Sequence, residues 1–237
     1  MENFLRNRIH HTLLCLCMFI CGASIECVAQ NNKDKKNSAE HAFVDLGLPS
    51  GTLWAEYNVG ATCDTEIGSY FAWGEIKEKS VYSYGTYFDA DGKVLNTTKK
   101  KKASLIGTKY DTAKQLWGKK WVMPTREQAV ELYTKCNWEW TENYKNAGVA
   151  GCIVTGPNGN SIFFPAGGLM MDNQHRHTTF GNIWIGELNN FNNIDWACFI
   201  DFSTKGPLIQ PVPFRGSILV VSQDYRWWGR NVRAVRK

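Results

Sequence analysis

No catalytic or metal-binding motif stands out in this sequence, and the absences narrow its function before any positive feature is considered. Eight cysteines occur among 237 residues, yet none has C-x-x-C spacing, so neither a zinc site nor a dithiol redox motif is implied. Acidic residues do not recur at calcium-loop spacing around Asp89-Ala90-Asp91-Gly92, which reads as a plain turn. The apolar stretch from Leu13 to Ile20 is too short to span a bilayer. Charged residues at 21% and a mean hydropathy of -0.34 exclude a disordered chain and a multi-span membrane protein. The formal charge of +5 draws on the run Lys99 to Lys102, a solvated loop by composition. No recognition motif accompanies it, so nucleic acid is not an expected partner.

Aromatic residues are plentiful: ten Trp, nine Tyr and twelve Phe, enough for one mid-sized globular domain with a real core. The N-terminus carries Arg6 and Arg8 ahead of the apolar stretch, the pattern of an export signal. Cleavage after Ala29 divides the chain into a signal peptide at residues 1–29, a flexible leader at 30–42 and a folded domain at 43–237; cleavage after Ala23 is the second option. A lipid anchor at Cys21 or Cys27 is the rival, although the preceding residues fit a lipobox poorly. Export to the periplasm, the cell surface or the medium is therefore expected, with association at the outer-membrane surface included. Cys63, Cys136, Cys152 and Cys198 remain after cleavage. Three disulfide connectivities and buried free thiols all stay open.

Within the domain, Phe43-Val44 and Leu53-Trp54-Ala55 flank Pro49-Ser50-Gly51 and read as a hairpin-like unit. Residues 77–108 follow neither period and read as a long irregular excursion. Asp111 can cap a short helix over Thr112 to Trp117 that Gly118 ends. The switch Trp121-Val122-Met123-Pro124-Thr125 starts a second helix at Arg126, with Thr125 and Gln128 forming a capping box. Ala129, Leu132, Tyr133 and Cys136 give that helix an apolar face. Beyond it the pattern turns to strands: Cys152 to Thr155 and Ser161 to Phe164 around Gly156-Pro157-Asn158-Gly159-Asn160, then Trp196 to Phe202, Ile218 to Val221 and Asn231 to Val235. The fold class is α+β.

Several of these phrases together resemble one family. Val44-Asp45-Leu46-Gly47-Leu48-Pro49-Ser50-Gly51-Thr52-Leu53-Trp54-Ala55, Asn58-Val59-Gly60-Ala61, Tyr70-Phe71-Ala72-Trp73-Gly74-Glu75, Trp121-Val122-Met123-Pro124-Thr125, Gly156 to Asn160 and Val232-Arg233-Ala234-Val235 are similar to the Fibrobacter succinogenes major paralogous domain, found in exported proteins of the Bacteroidota. The resemblance covers Phe43 to Arg236. It implies a C-type-lectin-like or formylglycine-generating-enzyme-like fold with paired terminal strands, two short helices and long irregular loops. The chain departs from the family at Trp184-Ile185-Gly186 and Val232-Arg233-Ala234-Val235, so a ligand identity does not transfer.

Candidate chemistry concentrates in the last third. Asn190, Asn192, Asn193, Tyr225, Arg226 and Trp228 combine amide, guanidinium and aromatic groups, which suit an adaptable binding surface. A calcium-dependent sugar site fails because Gln210-Pro211-Val212 lacks an oxygen ligand at Val212. His175-Arg176-His177 places two imidazoles on one side of a strand, with nothing to complete a metal site. Glycoside hydrolysis needs two facing carboxylates, and sequence cannot pair Glu187, Asp195 and Asp201. The expectation is an exported, non-catalytic module without cofactor or metal that recognises an extracellular glycan or protein. A structural or adhesive surface component comes next, and a divergent enzyme last.

Overall fold

The computed structural model describes residues 41–87, 104–188, 195–208, 212–214, 217–219 and 221–236. The expected signal peptide, the leader up to residue 40, the Asp91-Gly92 turn, the Lys99 to Lys102 run and Gln210-Pro211 lie outside these residues.

The hairpin at the start forms as its turn chemistry predicts: β1 (Phe43–Asp45) pairs antiparallel with β2 (Leu53–Ala55), placing Val44 opposite Trp54. Asp111 accepts from the Lys114 N–H at 3.1 Å and caps α1 (Thr112–Trp117), which stops at Gly118 with φ of 93°. Helix α2 (Arg126–Lys135) begins behind Pro124. Thr125 Oγ1 accepts from the Gln128 N–H at 3.1 Å, and Gln128 Oε1 accepts from the Thr125 N–H at 2.8 Å. Both partners of the box are thus engaged. Thr125→Ala is expected to destabilise the domain by about 1 kcal/mol and to lower Tm by roughly 2–4 °C; a midpoint identical to wild type would show that the box adds nothing. Ala129, Leu132 and Tyr133 are buried as the helical period requires, whereas Cys136 is the C-cap and only half-buried.

Three strands, β3 (Asn137–Thr141), β4 (Gly151–Thr155) and β5 (Ser161–Pro165), form an antiparallel meander. Gly159, at φ of 84°, makes the β4–β5 turn. A small hairpin follows, β6 (Leu169–Met171), whose Leu169 is buried, with the exposed β7 (Gln174–Arg176). The two longest strands are β8 (Phe180–Leu188) and β9 (Trp196–Ser203), paired antiparallel. Then come β10 (Gly206–Pro207), β11 (Val212–Phe214), β12 (Ser217–Leu219), β13 (Ser222–Tyr225) and β14 (Val235–Arg236). β10 and β13 both pair with β9. The class is α+β, with few helices and mostly antiparallel strands in open sheets.

Both faces of β8 and β9 are buried, and this determines the core. One face sends Ile183, Ile185, Cys198, Ile200 and Phe202 into a cluster with Leu132 and Tyr133 of α2, Trp54 and Phe164. The other sends Trp184, Ala197 and Phe199 into a cluster with Trp73, Trp121, Met123, Val232 and Ala234. Gly181 stands opposite Phe202, and a Cβ there would lie 1.7 Å from the Phe202 ring, so the ring occupies the space that any side chain would need.

Two expectations about the end of the chain need correction. β14 pairs with β2 rather than with β1, so the first and last strands flank β2 instead of meeting. Of the expected last strand, Asn231 to Val235, only Val235 is strand, continued by Arg236, because the segment before it changes neighbour at each step. Trp184 N–H donates to Asn231 O, Val59 N–H to Val232 O and Ala55 N–H to Ala234 O. All four cysteines beyond the expected signal peptide are free thiols, Cys152 and Cys198 buried and Cys63 and Cys136 half-buried. No helix among the described residues is long and apolar enough to cross a membrane.

Candidate functional site

The site forms where β13 ends and β9 begins. Tyr225, the last residue of β13, lies opposite Trp196, the first of β9. The chain then turns through Arg226 to Trp228, and its backbone is fixed on two sides. Arg226 N–H donates to Asp195 O at 2.9 Å, and Trp73 N–H donates to Arg226 O at 2.8 Å. A turn held this way presents its side chains in one arrangement, as a binding surface requires.

Those side chains make a continuous aromatic surface. Tyr225 stacks on Trp227 with ring centroids 4.4 Å apart and planes 20° from parallel. Trp228 meets Tyr225 edge-on at 5.2 Å, and Trp196 does so at 6.0 Å. From the other side Tyr84 packs edge-on against Trp227 at 5.2 Å. Tyr84 is 64% exposed and Tyr225 36%, while Trp196, Trp227 and Trp228 are half-buried. Trp227 is seated by a small cluster of Ala72, Tyr82 and Tyr87, and Tyr87 is fixed by donating to Trp73 O at 2.5 Å. The outer rings are therefore solvent-facing and the inner ones are anchored.

Two buried arginines brace the surface from below. Arg226 lies over the Tyr87 ring at 5.3 Å and pairs with Asp195 at 3.7 Å. Arg230 lies over Phe199 at 4.1 Å, Trp184 at 4.5 Å and Trp228 at 5.8 Å. Its Nη2 donates to Asp224 Oδ2 at 2.6 Å, and Asp224 Oδ1 accepts from the Tyr225 N–H at 2.8 Å. Nε and Nη1 of Arg230 have no hydrogen-bond partner among the described residues; the aromatic faces offset part of that cost. Farther along the same sheet face, Asp201 accepts from Asn182 Nδ2 at 2.9 Å and Ser222 Oγ at 3.3 Å. Burial pushes its carboxyl up to about 6, against the opposing pull of Ser222, Arg230 and Asn182.

Of the residues singled out from sequence, Tyr225 and Trp228 meet on this surface. Arg226 is beside them but inside, 4% exposed, because its guanidinium is used against Asp195 and Tyr87. Asn190, Asn192 and Asn193 lie outside the described residues. Sequence reasoning did not assign Tyr84 or Trp196 to the site, and nothing local could have: Tyr84 comes from the irregular excursion far upstream, and Trp196 looks like a core strand residue. The three carboxylates considered for hydrolysis go to different places. Glu187 accepts from the Arg126 N–H at 2.7 Å at the start of α2, Asp195 pairs with Arg226, and Asp201 sits with Asn182 and Ser222. His175 places Nε2 2.8 Å from the Tyr70 hydroxyl. No group of three His, Cys, Asp or Glu among the described residues could hold a metal ion. Comparison with known protein families, with curated proteins and with solved structures returns no match.

Proposed function

We propose that this chain is an exported, non-catalytic binding domain that recognises an extracellular glycan or protein through the aromatic surface of Tyr84, Trp227, Tyr225 and Trp228. The observation that carries this is the combination of exposure and bracing: large rings held in fixed contact with one another, open on one side, with the buried guanidinium groups of Arg226 and Arg230 packed against rings beneath. Rigid aromatic area costs little entropy when a ligand settles on it. The α+β architecture and the sequence phrases support placing the domain with C-type-lectin-like folds, and the basic, then apolar N-terminus supports export.

Tyr84 and Tyr225 are the most exposed members, so replacing both with Ala alters the surface with least damage to the core. After wild-type protein is screened on arrays of glycans and extracellular proteins, Tyr84→Ala/Tyr225→Ala should bind the recovered ligand with a loss of about 2 kcal/mol or more, at least roughly 30-fold in Kd. Its Tm should stay within a few degrees of wild type. Undiminished binding by the double variant would remove this surface from consideration.

A further inference from the structure

The polar atoms of the aromatic surface differ from those of other large rings in the domain. Four tyrosines elsewhere donate to the protein: Tyr82 to Tyr70 O at 2.6 Å, Tyr87 to Trp73 O at 2.5 Å, Tyr133 to Asp201 O at 3.3 Å and Tyr144 to Asp64 Oδ2 at 3.1 Å. The indoles of Trp73, Trp138, Trp140 and Trp184 do the same, toward Ile185 O, Leu132 O, Glu142 Oε1 and Phe71 O. On the surface, the hydroxyls of Tyr84 and Tyr225 and the indole N–H groups of Trp227 and Trp228 have no hydrogen-bond partner among the described residues. Trp196 Nε1 is sealed from solvent without a partner, whereas Nε1 of Trp227 and of Trp228 is not sealed off.

Acceptors on the same turn are already in use. Asp224 Oδ1 takes the Tyr225 N–H and Oδ2 takes Arg230 Nη2, while Tyr225 O takes the Trp228 N–H at 3.3 Å and Arg226 O the Trp73 N–H at 2.8 Å. An indole can only donate, and a phenol hydroxyl donates as well as accepts, so the rings present mainly donors, positive in partial charge. The complementary ligand is apolar and rich in acceptors. A run of prolines meets both conditions. Proline has no backbone N–H, and a polyproline II helix makes no internal hydrogen bonds, so its carbonyls are acceptors without competing donors. Its pyrrolidine rings suit aromatic faces, and its conformation exists before binding, which keeps the entropy cost low. A glycan also suits the rings, but each of its hydroxyls brings a donor that this turn is poorly equipped to accept, and a donor buried without a partner opposes binding.

We infer that the aromatic surface takes an extended, proline-rich segment of a partner protein, with Tyr84, Tyr225, Trp227 and Trp228 donating to its backbone carbonyls. The inference rests on the reading of the surface as a ligand site given above.

The test measures fluorescence polarisation of the whole purified chain with a labelled peptide of about ten prolines, which forms polyproline II, beside a Gly/Ser peptide of equal length and neutral gluco- and manno-oligosaccharides. The proline peptide should bind saturably and the Gly/Ser peptide at least about tenfold more weakly, since it must be ordered and carries its own donors. Affinity should change less than about twofold between low and high salt, because no ion pair forms. Tyr84→Phe/Tyr225→Phe keeps both rings and removes only the hydroxyls; it should leave Tm unchanged and weaken proline-peptide binding by at least about fivefold. Absence of proline-peptide binding, equal binding of the Gly/Ser peptide, or equal affinity in the Phe variant would overturn the inference. If an oligosaccharide binds instead and Tyr84→Ala/Tyr225→Ala abolishes that binding, the surface stands as the site and only the ligand class falls. If the proline peptide binds and the Ala variant binds it equally well, the surface itself is wrong.

Discussion

Replacing Arg233 with Ala is expected to cost the domain about 4 kcal/mol, the scale of breaking a buried charged network, and to lower Tm by roughly 8–16 °C for a domain of this size. The Arg233 side chain is fully buried and joins parts of the chain that are distant in sequence. Nε donates to Asn58 Oδ1 at 2.7 Å, Nη1 to Ala55 O at 3.0 Å and Glu56 O at 2.7 Å, and Nη2 to Phe163 O at 2.9 Å, while the guanidinium lies 4.4 Å from the Phe164 ring centroid. Burial pushes its pKa down to about 9, so it stays charged at neutral pH. Removing it leaves three backbone carbonyls and an amide oxygen dry and unpaired, each costing on the order of 1–3 kcal/mol, with a cavity added. Arg233→Met keeps much of the volume and should still lose most of that stability. Chemical denaturation measures both variants, and a midpoint close to wild type would mean the carbonyls find other donors.

The second large effect concerns pH and Asp201. Its carboxyl ordinarily titrates near 3.8 and is pushed up to about 6 here, chiefly by burial. Between those values the folded protein holds a proton that the unfolded chain has released. Protonation therefore favours the folded state: the contribution is complete below about pH 4 and is lost as pH rises through 6. The gap corresponds to roughly 3 kcal/mol. Asp201→Asn keeps acceptor and donor capacity toward Asn182 and Ser222 but cannot titrate. Unfolding free energies of wild type and variant, measured from pH 4 to pH 7.5, should diverge, with wild type losing stability relative to the variant as pH rises. Taking the difference removes other groups, including Asp111, which burial also shifts upward. Parallel curves would show that Asp201 titrates at its ordinary pKa.

Local chemistry was legible in the sequence and long-range assembly was not. Thr125 with Gln128, Asp111 before α1 and Gly159 in the β4–β5 turn act within a few residues, and each does what its position predicts. β8 is harder to recognise because Ile183 and Ile185 enter one cluster while Trp184 enters the other, which removes the alternation that marks a half-exposed strand. Arg233 reads as one residue of a short phrase, and only its contacts with Ala55, Glu56, Asn58 and Phe163 make it a hub. The candidate site shows the same division. Tyr225 and Trp228 are close in sequence and could be grouped by eye. Tyr84 joins them only through packing on Trp227, and Arg226 sits among them in sequence but is turned toward Asp195.

The proposed binding surface can be tested most directly by following tryptophan indole N–H signals by NMR while the array-identified ligand is added. The side chains of Trp227 and Trp228 lie at the surface in question, whereas Trp54, Trp73 and Trp184 are fully buried in the core. Saturable shifts at Trp227 and Trp228, with Trp54, Trp73 and Trp184 unmoved, are the predicted result. Shifts confined to Trp117, which stacks on His41, and Trp121, which meets both rings edge-on, or no indole shift at saturating ligand, would contradict it.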